Sequence, residues 1–251
     1  MARSSRLGML ALAVAQFAAK ASAMLDNMSI RLYFGNGCFF AHQYLLVEGF
    51  ERNILGRRDD QLTAVQGYGG SAKTGKHGSA CYHNAANYSD YGILGHAEVV
   101  EVVVPLDYLE QAFNVYFGSF MQFDEGQWSR PDFYDQGSEY RSVLGVPGGM
   151  ENKRVLEAVK AADTKNITLR PGLGSDPDTF GGNSLYIMDS NKFPFIQAEL
   201  CLQFHDDSQA TYPAAYHKLR DSFVKRGRLA NTSCPANYIC GGGESAGVVV
   251  V

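Results

Sequence analysis

The run Val99-Val100-Glu101-Val102-Val103-Val104, stopped by Pro105, constrains the fold of this chain more than any other segment. β-Branched side chains crowd a helix and suit the pleated surface of a strand, so this segment reads as a central strand. Further strand candidates are Ile30 to Phe34, Leu62 to Gln66, Tyr140 to Val146, Ser184 to Met188 and Phe195 to Phe204. Helical spacing of apolar residues marks Ala41 to Leu55, Tyr108 to Met121 behind a cap at Asp107, Glu151 to Ala162, and Ala214 to Lys225. Gly67-Tyr68-Gly69-Gly70 reads as a turn, and Ser71 to Leu94, rich in Gly, Ser, Asn and Tyr, as a long surface loop. Strands and helices mixed in this order predict an α+β two-layer sandwich with a mixed central sheet, ferredoxin-like in type.

The first residues, Met1-Ala2-Arg3-Ser4-Ser5-Arg6, carry positive charge and precede an apolar stretch from Leu7 to Ala19 and the small-x-small sequence Ala21-Ser22-Ala23. This pattern predicts a signal peptide over residues 1–23 and a single domain over residues 24–251, since the apolar stretch is too short to span a bilayer. Lys20 departs from the usual pattern and leaves a plastid or other organellar destination as the alternative. No later segment approaches spanning length, so no membrane partner is expected. The formal charge of -4 gives no basic field for phosphates, and no nucleic-acid partner is expected either. A monomer is the expected state. Asn27, Asn87, Asn166 and Asn231 each begin an Asn-x-Ser/Thr sequon.

Five cysteines, at positions 38, 81, 201, 234 and 240, cannot all pair within one chain. Cys38 follows the first strand and opens a helix, where the helix dipole favours a thiolate. Position alone leaves two readings, a nucleophile or a small buried hydrophobe. Cys201 lies in the alternating run Glu199-Leu200-Cys201-Leu202 and reads as core, while Cys81 sits in the polar loop with no role assigned. Cys234-x5-Cys240 does not fit a zinc ribbon, and no metal or organic cofactor is implied.

Four separated motifs occur in order: Gly37-Cys38-Phe39-Phe40, Gly67-Tyr68-Gly69-Gly70, Gly95-His96-Ala97-Glu98, and Asp135-Gln136-Gly137-Ser138-Glu139-Tyr140-Arg141-Ser142. Together they resemble the methionine sulfoxide reductase A family, whose members carry Gly-Cys-Phe-Trp, Gly-Tyr-x-Gly-Gly, Gly-His-Ala-Glu and Asp-x-Gly-x-x-Tyr-Arg-Ser. The resemblance covers roughly residues 30 to 145. It implies reduction of methionine (S)-sulfoxide, in proteins or free, by attack of Cys38 and formation of a sulfenic acid. It further implies Glu98 as the carboxyl that assists oxygen departure, Asp135 as a positioning carboxylate and Tyr140 as a phenol holding the sulfoxide oxygen. Phe39 and Phe40 would wall the substrate methyl group, with Phe40 where the family usually has Trp. Tyr82, Tyr88 and Tyr91 are candidates for a second oxygen-holding phenol, of which Tyr82 is preferred.

The resemblance also implies cysteines in a Gly-rich C-terminal segment that pass the oxidation to thioredoxin or a similar thiol reductant. Cys234 and Cys240, beside Gly241-Gly242-Gly243, are the pair in that setting, with Cys234 first. Each residue keeps a plainer alternative: Glu98 as a strand end, Tyr140 as a packed ring, Asp135 as a turn former, His96 as a structural hydrogen-bonder, and the tail pair as a structural disulfide. Two other classes stay open. A cysteine hydrolase or acyltransferase would use His42 or His96 as base, and a non-catalytic binding module would recognise methionine sulfoxide without turnover.

Overall fold

A computed structural model describes residues 28–123, 126–131, 134–205 and 212–235. The predicted signal peptide, Asn27 and Cys240 with the Gly-rich tail lie outside these residues. The strands are β1 (Ser29–Gly35), β2 (Val65–Gly69), β3 (Ala97–Pro105), β4 (Met121–Gln122), β5 (Trp128–Ser129), β6 (Val143–Val146), β7 (Thr168–Pro171), β8 (Ser184–Asp189) and β9 (Ile196–Gln197). The helices are α1 (Phe39–Leu45), α2 (Leu109–Gly118), α3 (Lys153–Ala162), α4 (Ala214–His217) and α5 (Leu219–Lys225).

The class is α+β, and the main sheet is mixed and seven-stranded, in the order β7-β8-β6-β1-β3-β2-β9. The valine run lies inside β3, which pairs antiparallel with β1 on one side and β2 on the other. β6 and β8 pair in parallel. Period-2 alternation sends Leu32, Phe34, Val100, Val102, Val104, Leu144 and Ile187 to the main core, with Phe113, Tyr116, Val155, Val159 and Phe223 from the helices. Tyr33, Ala97, Val99, Val143, Tyr186 and Met188 form a smaller cluster closed by Phe193 and Phe195. The same alternation turns Glu98 toward the main-core side, and at 1 % exposure it is buried there.

Several local expectations are corrected. The Gly67-Tyr68-Gly69 segment is strand rather than turn, because β2 runs through it in register with Val99, Glu98 and Ala97. Position 67 must lack a Cβ, since one would collide with the Ile196 carbonyl oxygen and the Phe195 ring. The helix expected over Ala41 to Leu55 starts at Phe39 and passes into a π-helical turn at Leu46–Arg52. That turn buries Glu51, which accepts from the backbone N–H groups of Thr63 and Ala64. Asp107 caps nothing by its side chain; it lies in a 3-10 turn and pairs with Arg154 at the surface. Tyr140 belongs to a 3-10 turn, Ser138–Tyr140, before β6 begins. The strand expected over Phe195 to Phe204 shrinks to β9, after which Leu200–Leu202 form a 3-10 turn. The last helix is split at Lys218 into α4 and α5. The Ser71 to Leu94 segment is not wholly superficial, since Ser79, Ala80, Cys81, Asp90 and Tyr91 are buried behind the sheet end that carries Glu98. Among the described residues, no helix is long and apolar enough to cross a membrane.

Candidate active site

Cys38 is the N-cap of α1, is 8 % exposed, and is not disulfide-bonded. A helix start leaves N–H groups without intrahelical acceptors and favours negative charge. The Phe39 N–H donates to Glu98 Oε2 at 2.9 Å, so the carboxylate of β3 meets the first residue of the helix opened by the cysteine. Glu98 Oε1 accepts from the Tyr91 hydroxyl at 3.1 Å. Tyr140 hydrogen-bonds Tyr91 in turn.

The four sequence motifs converge through a small set of hydrogen bonds. The Gly37 N–H donates to the Tyr140 carbonyl at 2.9 Å, and the Ser142 hydroxyl donates to Asn36 Oδ1 at 2.7 Å, joining the Cys38 turn to the last motif. Arg141, fully buried, donates to the carbonyl oxygens of Ser138, Gly70 and Gly95 at 2.6, 2.9 and 3.1 Å. One guanidinium therefore fixes three motifs, using the planar fork that only arginine offers. A Cβ on Gly70, whose φ is +82°, would fall 2.5 Å from Arg141 Nη2, so both the backbone conformation and the space require glycine.

Around the cysteine and the carboxylate stand phenols. Burial, reinforced by the nearby Glu98, Tyr140, Cys38 and Asp135, raises the Tyr82 pKa far above its usual value. Burial, with Glu98, Asp135 and Cys38, does the same to Tyr140, against the opposing effect of its hydrogen bond with Tyr91. Burial raises Tyr91 as well, helped by Glu98, Tyr140 and Tyr82. Tyr91 gives its one O–H to Glu98, so Tyr82 and Tyr140, which stay protonated, are the two O–H donors able to hold an anionic or strongly polar oxygen. The Phe39 ring lies 4.9 Å from Phe40 and 6.3 Å from the near-parallel ring of Tyr82, and Phe40 meets His205 at 5.2 Å. Cys38, Glu98, Phe39, Phe40, Tyr82, Asp135 and Tyr140 are thus brought together. Tyr88 is taken up elsewhere, its ring under the Lys76 ammonium at 5.2 Å.

Sequence reasoning weighed Tyr91 only as one of three candidates, and it is the phenol bonded to Glu98. Tyr68 was not singled out; it pairs across the strands with Glu98 and stacks on Tyr91 at 4.6 Å. Their signal was available as alternation along β2 once Tyr68 is given to a strand. Glu199 was also missed, although a carboxylate inside an apolar run is itself a signal.

The two histidines open to a hydrolase reading are engaged elsewhere. His96 Nε2 lies 2.7 Å from the Lys73 carbonyl oxygen, and burial lowers its pKa. His42 is buried, hydrogen-bonds the Cys38 backbone, and has Nε2 3.3 Å from Ser119 Oγ; desolvation lowers its pKa to about 4. The unfolded chain therefore binds the His42 proton more readily than the folded one. The resulting stability is full above about pH 6.5 and is lost as pH falls toward about 4, an effect of up to about 3 kcal/mol. Urea unfolding across that window should show a falling midpoint in the parent chain, and His42→Gln should flatten the slope. An unchanged slope in the variant assigns the acid sensitivity to His96 or to the carboxylates.

Cys234 is joined to Cys81, 153 residues away, by a disulfide with Cα atoms 5.5 Å apart. The tail pair is thus not a Cys234–Cys240 clasp: the segment carrying Ala230 is bonded to Gln197, which brings Cys234 beside Ala80 and Cys81. Cys201, read as a core thiol, is half-buried and disulfide-bonded. Cys81, Glu199 and Cys234 each place one ligand-type atom within 4.8 Å of the others, but both sulfurs are spent in the disulfide.

No protein-family model matches the chain, and no curated protein matches it. Among solved structures it is similar to methionine sulfoxide reductase A of Corynebacterium diphtheriae, at 17% identity over 74% of this chain and 79% of that one, with a TM-score of 0.44. At that distance, the functional reading rests on the residues of the site.

Proposed function

We propose that this chain is a peptide-methionine (S)-S-oxide reductase acting through Cys38. The observation that carries the reading is the convergence of the Cys38 thiol, the buried Glu98 carboxylate and the Tyr82, Tyr91 and Tyr140 hydroxyls, beside the aromatic pair Phe39 and Phe40. A sulfoxide presents a methyl group, an electrophilic sulfur and a strongly accepting oxygen, and this set offers each a partner. Cys38 sulfur attacks the sulfoxide sulfur while the Cys38 thiol proton passes by way of the Glu98 carboxylate to the sulfoxide oxygen, which Tyr82 and Tyr140 hydrogen-bond. Overall, the oxygen passes to Cys38, which is oxidised by two electrons to the sulfenic acid, and the substrate leaves as the thioether. A thiol then condenses with the sulfenic acid, forming a disulfide and releasing water.

Once reduction opens the Cys81–Cys234 disulfide, Cys234 is the thiol we assign to that condensation, with Cys240 assigned to the second exchange and a thioredoxin-type dithiol as the final reductant. Substrate is methionine (S)-sulfoxide, free or in a polypeptide. The leader-like residues 1–23 support delivery to the secretory pathway.

The test is a single exposure of the fully reduced protein to one equivalent of each sulfoxide epimer without reductant, followed by mass spectrometry. One methionine per enzyme from the S epimer, none from the R epimer, and a new disulfide containing Cys38 or a Cys38 sulfenic acid are expected. No methionine, or equal consumption of both epimers, overturns the reading.

A further inference from the structure

The connection from β7 to β8 carries Gly174-Ser175-Asp176-Pro177-Asp178-Thr179-Phe180, a stretch outside the four motifs and outside the residues that resemble a known family. Turn formers of this kind read as surface loop, yet Asp176 is 6 % and Thr179 2 % exposed. The Ser175 N–H donates to the Gly70 carbonyl at 3.0 Å, and the Asp176 carboxylate lies close enough to the buried Arg141 guanidinium to favour its charged form. Asp178 is bonded through both oxygens. Its Oδ1 accepts from Arg130 Nε at 2.9 Å and from the Phe180 N–H at 3.0 Å, and its Oδ2 accepts from Arg130 Nη2 and from the Gly137 N–H, each at 2.9 Å. Thr179 Oγ1 accepts from the Ser142 N–H at 2.7 Å, and its hydroxyl donates to Ser142 Oγ at 3.0 Å.

We propose that Asp178 and Thr179 are positioning residues of the active site, a clasp that grips the 137–142 segment at both ends and so sets where the Tyr140 hydroxyl meets the sulfoxide oxygen. The identity of that oxygen rests on the reductase reading above, which the clasp deepens by naming what places its phenol. The segment needs outside support. Its 3-10 turn, Ser138–Tyr140, is a single turn closed by the Tyr140 N–H on the Gly137 carbonyl at 3.1 Å, and so short a turn has little stability of its own. Gly137, with φ +119° and ψ 174°, adopts a backbone conformation open to glycine alone, so the residue with the most conformational freedom stands at the head of the turn. The Gly137 N–H bond to Asp178 fixes that head, the Ser142 N–H bond to Thr179 fixes the far end, and Tyr140 lies between them.

The clasp is itself anchored. Arg130 is fully buried, meets Asp178 with two N–H groups in the fork geometry that suits a carboxylate, and lies 5.0 Å over the Phe180 ring. Burial works to raise the Asp178 carboxyl, but the bonds from Arg130, Gly137 and Phe180 outweigh it and hold the group below the usual carboxylate range. The carboxylate that receives the Gly137 N–H is therefore present throughout the neutral range. On the other side the Ser142 hydroxyl donates to Asn36 Oδ1 at 2.7 Å, in the turn that leads into Cys38. Thr179 thus ties the phenol-bearing segment to the turn that carries the nucleophile.

The experiment compares Asp178→Ala, Thr179→Val and Thr179→Ser with the parent, each as the full chain, reduced and mixed with the S epimer for a single turnover. Asp178→Ala and Thr179→Val should slow release of the first methionine about tenfold or more, since displacing a positioned group by about 1 Å can cost about a hundredfold. Thr179→Ser keeps the hydroxyl and should recover most of the parent rate. Asp178→Ala and Thr179→Val are then remade in a Tyr140→Phe chain, where a loss that acts through the phenol should shrink to about twofold or less. Hydrogen exchange at residues 137–142 should quicken about tenfold in the same two variants while α1 and β3 exchange as in the parent. Thr179→Val is nearly isosteric, which keeps the test decisive should Asp178→Ala fold poorly. Parent-like rates in both variants, an equal loss with and without the Tyr140 hydroxyl, or unchanged exchange over 137–142 overturns the clasp. Faster exchange there in a chain that reduces no sulfoxide supports the clasp and overturns the reductase reading alone.

Discussion

Cys38→Ser is expected to form no methionine from either sulfoxide epimer, with any thiol reductant and at any time of reaction. A serine hydroxyl has almost no anionic fraction near neutral pH, whereas a thiol of pKa about 8.5 or below supplies the nucleophile, and sulfur alone can carry the oxygen as a sulfenic acid. The side chain is 8 % exposed and shares its helix start with the Glu98 contact, so the nearly isosteric serine should leave that geometry in place. Thermal unfolding of the variant should stay close to that of the parent chain, which separates loss of chemistry from loss of fold. Turnover above background would remove Cys38 from the centre of the mechanism. Binding of sulfoxide that persists, with none reduced in the parent either, would favour the recognition module instead.

Glu98→Gln carries the second large effect, about ten- to ten-thousand-fold in the single-turnover rate, with substrate affinity nearly kept. Glu98 accepts from Phe39 N–H through one oxygen and from Tyr91 O–H through the other. An amide can replace one acceptor but not both, and it has no acidic proton for the departing oxygen. Quenched-flow measurement with the S epimer separates the two contributions. A reduced rate with an unchanged dissociation constant assigns Glu98 to the oxygen-leaving step. A rate equal to the parent's assigns it to holding α1 against β3.

Much of this site was legible from one dimension because its motifs are local. The cysteine turn, the strand opening at Glu98 and the Asp135–Ser142 segment each combine a glycine-shaped backbone with a reactive side chain, and both leave marks in consecutive residues. Alternation and helical spacing likewise located β1, β3, β8 and the cores of α2 and α3, since burial of one face imposes a period on the sequence. The boundaries were less legible. Gly67-Tyr68-Gly69 carries turn composition yet forms a strand, because its glycines answer to the close approach of Ile196 and Phe195 rather than to chain reversal. Phe195 to Phe204 has strand composition yet bends after β9, where Glu199 turns inward to Tyr68 and Tyr82.

The sequence by itself determined the α+β class, the central place of the valine strand and the residues offered for chemistry. All of these depend on side-chain type and short-range period. Tertiary structure alone decided which phenol reaches Glu98, that Arg141 is the shared anchor of three motifs, and that Cys234 pairs with Cys81. The reason is that these are contacts between segments far apart in the chain, set by how β2, β3 and the 226–235 segment pack against one another. Nothing in the local period of a sequence encodes which distant partner a tyrosine, an arginine or a cysteine will meet.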